Sequence, residues 1–161
     1  MKTLKTFLEK RNACLNSFEF AKDLTLEQFL ETCERGNWIL WLFARTNPES
    51  LKELTLAKAH CANTVRHLMT DERSVKAVDV AIAFGEGRAT KEELNVVAHA
   101  AAHAAYSAAH AAYSAAASVA SAAALADIYV YAANAKKQNQ KQTADICRKF
   151  LPIEIWDQSQ F

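Results

Sequence analysis

From Thr90 to Asn139 the chain has no glycine and no proline, and most residues between Ala98 and Ala126 are alanine. Alanine has the highest intrinsic helix propensity, so this segment is expected to be helical before any packing is considered. At 1.5 Å rise per residue, about 45 such residues make a rod of roughly 65–70 Å. A compact domain of this size has a radius of gyration of only about 15 Å. Such a helix must protrude, break, or lie along a partner.

The rest of the chain is consistent with an all-α fold. Only 3 of its 161 residues are glycine and 2 are proline, too few for the tight turns of a β-rich fold. Thr25-Leu26-Glu27-Gln28 and Thr90-Lys91-Glu92-Glu93 are capping boxes that start helices. Gly36 reads as the C-cap of the helix after Thr25, and Asn47-Pro48-Glu49 as the start of another, with Asn47 as N-cap. Asn37-Trp38-Ile39-Leu40-Trp41-Leu42-Phe43 is apolar nearly all round, as a central buried helix is. Asp71-Glu72 opens a further helix that Gly85-Glu86-Gly87 ends, and a short last helix is expected from about Thr143 to Phe150. Beyond Pro152, Ile153, Ile155 and Trp156 are expected to fold back onto the core. The predicted architecture is one domain, 1–161, a multi-helix orthogonal bundle. It divides into a helical body (1–88), the alanine-rich helix (89–140), and a C-terminal helix and tail (141–161).

Larger side chains on the alanine-rich helix fall into register. Val96, His99, His103, Tyr106, His110 and Tyr113 follow a 3, 4, 3, 4, 3 spacing, the a/d seam of a coiled coil. Two orientations are open. The seam packs against the body with each His and Tyr hydrogen-bonded, or the alanine faces pack inward and the seam meets a partner. His99 and His103 are one turn apart, but His110 lies about 10.5 Å further along and cannot share their ion. No nearby acid or cysteine completes a metal site, so none is expected.

Trp38, Trp41, Arg45 and Arg66 supply the chemistry that stacks on and neutralises a nucleotide. The plainer reading makes both tryptophans core and both arginines surface ion pairs. His60, Cys61 and His67 share a helix without the geometry of a nucleophile pair. No phosphate loop, dinucleotide fingerprint, zinc-protease motif or paired-acid motif occurs, so neither enzymatic activity nor a cofactor is expected.

A formal net charge of +1 gives no pull toward nucleic acid or anionic lipid. The uncharged stretch from Ala98 to Ala126 is long enough to span a bilayer. It is poor in the Leu, Ile, Phe and Val that drive insertion, and a membrane span is not expected. Cys14, Cys33, Cys61 and Cys147 are scattered, and residues 1–10 lack a signal-peptide run. Reduced, mostly buried thiols in a cytoplasmic protein are expected.

One further pattern is Glu27-Gln28-Phe29-Leu30-Glu31-Thr32-Cys33, then Arg35-Gly36-Asn37-Trp38 and the Ile-Leu-Trp-Leu run. His60-Cys61-Ala62, Ala89-Thr90-Lys91-Glu92-Glu93 and the Ala/Tyr segment follow. This order resembles the Imm-5-like immunity proteins of bacteria and phages, over roughly residues 12–150. The resemblance implies a non-enzymatic protein that neutralises a protein toxin or defence effector, and it supplies no catalytic residues. Binding would run through the alanine-rich helix, with a homo-oligomer as a related arrangement. The alternative is a phage sponge-like protein that sequesters a nucleotide-like second messenger in a helical pocket.

Overall fold

The computed structural model describes residues 3–69, 71–99 and 125–161. Among the described residues the chain forms eight α-helices and no strand, as expected. These are α1 (Leu4–Lys10), α2 (Leu15–Ala21), α3 (Leu26–Thr32), α4 (Gly36–Thr46), α5 (Leu51–Asn63), α6 (Glu72–Gly85), α7 (91–99) and α8 (Leu125–Phe150). Most of the segment expected to form one continuous alanine-rich helix, 100–124, lies outside the described residues.

α4 is the hub. Gly36, Ile39, Leu42, Phe43 and Thr46 are all buried, and Trp38, Leu40 and Trp41 are half-buried around them. A helix apolar on most faces has to sit inside, and α4 packs against both α8 and α5. Ala144, Cys147 and Leu151 carry the core from α8 into the following turn, and Leu4, Phe7, Leu8 and Phe29 close it from α1 and α3.

Local chemistry accounts for the helix ends. At Thr25 the side chain accepts from the Gln28 amide at 3.2 Å, and the Gln28 side chain accepts from the Thr25 amide at 2.9 Å. Thr90 and Glu93 repeat that exchange at the start of α7. Thr3 and Thr6 do the same at α1, where threonine takes the place of the usual Glu or Gln. At the end of α6, the Gly87 amide donates to Phe84 and the Arg88 amide to Ala83. With Gly87 at φ 77°, this is a Schellman turn, which releases the chain toward Thr90.

Three expectations are corrected. Gly36 does not cap α3; Cys33 ends that helix, and Gly36 opens α4. A Cβ at Gly36 would lie 2.7 Å from the Thr143 carbonyl carbon, so the glycine is there to let α4 and α8 meet. Asn47 is not the N-cap of α5, which starts at Leu51 after Ser50. Its amide instead holds the C-terminal tail: Nδ2 donates to the Ile155 carbonyl at 2.8 Å, and Oδ1 accepts from the Asp157 amide at 3.3 Å and the Thr46 hydroxyl at 2.7 Å. Finally, no separate helix begins near Thr143. α8 runs unbroken from Leu125 to Phe150, because nothing in that stretch breaks a helix.

Arg148 on α8 reaches the C-terminal end of α3. Nε donates to the Leu30 carbonyl at 2.6 Å, and Nη2 donates to Cys33 at 2.5 Å and Glu31 at 3.3 Å. These are carbonyls that a helix end leaves without partners. Arg148→Ala should lower the unfolding free energy by about 2–3 kcal/mol, the worth of charge-assisted bonds to part-buried acceptors. Arg148→Lys should recover little, because an ammonium lacks the planar fork. Urea denaturation of both variants measures this; equal stability of Arg148→Lys and the parent would contradict the fork.

Candidate functional site

The first two seam positions lie on α7. Helix geometry puts Val96 and His99 on one side and Leu94 and Val97 on nearly the opposite side. Val97 is buried at 7% exposure, and Leu94 is half-buried. Both line an apolar groove of about 350 Å³ with Ala59 and Ala62 of α5 and Ala77, Val78 and Ala81 of α6. The small alanine side chains of α5 and α6 let α7 lie close to them. Val96 is 71% exposed, and His99 is exposed beside it. At its described start, therefore, the seam points away from the body. His103, Tyr106, His110 and Tyr113 lie outside the described residues.

The second group divides in two. Trp38 and Trp41 are half-buried and line a cavity of about 170 Å³ with Leu8, Cys14, Ser17, Phe29 and Asn37. Arg45 stacks over Trp41, its guanidinium carbon 4.2 Å from the ring centre, and Nη1 donates to the Trp41 carbonyl at 3.4 Å. Arg35, which the sequence did not single out, stacks over Trp38 at 4.3 Å. Arg66 does not line this cavity. Its guanidinium makes a two-pronged ion pair with Asp79 of α6, at 2.5 and 2.9 Å. That pairing holds the Asp79 carboxyl below its ordinary range. The plain reading therefore holds for Arg66, while the tryptophans are wall rather than deep core.

Neither a family model, a curated protein nor a solved structure matches this chain. The site is read from its own chemistry alone.

That chemistry is sparse. Among the described residues no group of three or more His, Cys, Asp or Glu side chains is placed to hold a metal ion. No described helix is long and apolar enough to cross a membrane. His60 lies flat on Phe150, ring centres 4.2 Å apart and planes 10° apart, so it is packing at the edge of the core. His67 is exposed on the turn Arg66–Leu68, away from that stack. Cys14 is exposed, and the Ser17 hydroxyl 3.1 Å away lowers its pKa. Cys61 and Cys147, which the sequence places far apart, have their sulfurs 3.8 Å apart.

Proposed function

We propose that this chain is a non-enzymatic binding protein of the immunity or inhibitor type. It takes a protein toxin or defence effector, in a bacterial or phage-infected cytoplasm, through its alanine-rich segment, on the face that Val96 and His99 begin. The observation that carries this reading is the exposure of Val96 beside His99 while Val97 and Leu94 face the body. A β-branched apolar side chain left in water forgoes about 1.5 kcal/mol or more of burial, which a partner surface would recover. In sequence, the same face continues into His103, Tyr106, His110 and Tyr113, and tyrosine is an energetic anchor in many interfaces.

The test is capture of partners from the native host on immobilised protein, with light scattering for self-association. The Tyr106→Ala, Tyr113→Ala double variant should weaken the captured complex about 30-fold or more, as loss of hot-spot residues does. Val96→Asp should weaken it too, with no loss of thermal stability, because that side chain leaves the fold untouched. Undiminished binding by both variants would refute the seam as the surface.

A nucleotide-like ligand is the second reading, and the Trp38–Trp41 cavity flanked by Arg35 and Arg45 favours it. At about 170 Å³ it admits a single ring system rather than a whole dinucleotide. Mass spectrometry of small molecules released on denaturing freshly purified protein decides between the two. A nucleotide in that fraction supports this reading, and a blank removes it.

A further inference from the structure

Cys61 on α5 and Cys147 on α8 are separated by 86 positions, yet their sulfurs are in van der Waals contact at 3.8 Å. The two differ in access. Cys147 is fully buried, whereas Cys61 is partly exposed. The Thr143 carbonyl lies 3.6 Å from Cys61 Sγ and the Gly36 carbonyl 3.6 Å from Cys147 Sγ, and the Cys33 thiol and the Arg148 guanidinium also act on Cys147. Among the described residues no third His, Cys, Asp or Glu is placed with the pair to hold a metal ion.

We propose that Cys61 and Cys147 form a peroxide-oxidisable dithiol, in which Cys61 is the attacking thiol and Cys147 the resolving one. The thiolate of Cys61 attacks one oxygen of hydrogen peroxide, the O–O bond breaks, and hydroxide leaves, giving a sulfenic acid on Cys61. The sulfur of Cys147 then displaces the sulfenic hydroxyl, forming the S–S bond. The Cys147 proton and that hydroxyl leave as water. Overall, two thiols and one peroxide give one disulfide and two waters. The electrostatics agree with this division. The hydrogen bond with Cys61, and then burial, raise the Cys147 pKa, while the hydrogen bond with Cys147 lowers that of Cys61. The sulfur whose ionisation is the more favoured of the two is thus the one that solvent reaches.

A disulfide needs its sulfurs at about 2.05 Å, so roughly 1.8 Å of approach is required. Rotation about χ1 of the half-buried Cys61 supplies this more readily than movement of Cys147, which is fully buried on α8 against Gly36 of α4. The bond would pin α5 to α8 and close a loop of 86 positions that contains the whole alanine-rich segment. Peroxide would thereby change how firmly the body grips α8, whatever the seam binds.

The test uses full-length protein carrying Cys14→Ser, which removes the exposed competing thiol, titrated with hydrogen peroxide. The expected product is a monomer lighter by two hydrogen atoms, with peptides containing Cys61 and Cys147 joined. Its Tm should rise by about 10 °C, the effect of closing so long a loop. Dithiothreitol should reverse both changes, and Cys61→Ser in the same background should show neither. Cys61 is partly exposed, so its serine variant keeps the fold and serves as the control even if Cys147→Ser does not. Cys61 stopping at the sulfinic acid without a crosslink would overturn the proposal, as would linkage through Cys33 or an intermolecular disulfide.

Discussion

Trp156→Ala should lower the unfolding free energy by about 3–5 kcal/mol, the range for removing a large aromatic from a core. Trp156 is 4% exposed and stands edge-on to Phe43, ring centres 5.0 Å apart and planes at 79°. That arrangement adds to the area it buries. Its indole N–H donates to the Leu151 carbonyl at 3.0 Å, so the one polar atom of the ring is satisfied inside. Trp156→Phe keeps most of the packing but leaves that carbonyl without its donor, and should cost about 1–2 kcal/mol. The residue also anchors the tail segment, together with Ile153, Ile155 and Phe161, which pack against the core. α8 ends at Phe150, and after Pro152 the short 3-10 turn Ile153–Ile155 lies between Trp156 and the Asn47 amide. Guanidinium denaturation followed by far-UV circular dichroism gives both values. A loss under 1 kcal/mol for Trp156→Ala would mean that the tail is not docked in solution.

Features legible in the sequence were those decided within one helical turn. The Thr25 and Thr90 capping boxes depend on residues three apart, and each forms as expected; the helix expected to open at Asp71-Glu72 does so, with the Asp71 side chain accepting from the Arg73 amide. The all-round apolar pattern of Trp38 to Phe43 foretold a central helix, because no single face could hold so many apolar side chains. Misreadings arose where one residue type serves two purposes. Glycine suits both a helix C-cap and a close helix crossing, and only the position of Thr143 on a distant helix decides for Gly36. Asparagine caps helices, but its paired donor and acceptor also fit a backbone segment, and at Asn47 that segment is the tail from Ile155 to Asp157.

The candidate site divides along the same line. The 3, 4 spacing of the seam is local, so the shared face of Val96 and His99 was visible; its direction was not. Direction depends on which side of α7 the alanines of α5 and α6 accept, and they accept Leu94 and Val97. The pairing of Arg35 with Trp38, like that of Arg45 with Trp41, spans one helical turn and was open to inspection. The Cys61–Cys147 contact was not, because no pattern in the sequence links positions on helices that far apart.

Gly36→Ala should destabilise the fold by about 3 kcal/mol, the upper end of what overpacking costs. The added methyl would lie 2.7 Å from the backbone carbonyl carbon of Thr143 and 2.8 Å from its Cβ. Neither atom is the end of a flexible side chain, so relief requires α4 and α8 to separate. Such a separation propagates: it loosens Cys147, whose thiol points at the Gly36 carbonyl, and Ala144, which is fully buried one turn before it. Gly87→Ala is the comparison that isolates the cause. Gly87 has φ 77° and nothing within 4 Å of the place a Cβ would occupy, so its cost is backbone strain alone, about 1–2 kcal/mol. A Gly36→Ala, Thr143→Ala double variant should recover little, because the obstructing carbon belongs to the main chain. Thermal and urea unfolding of the three variants would rank them. If Gly36→Ala were no worse than Gly87→Ala, the crossing of α4 and α8 would be wider in solution than this packing requires. The α5–α8 sulfur contact beside it would then be looser as well.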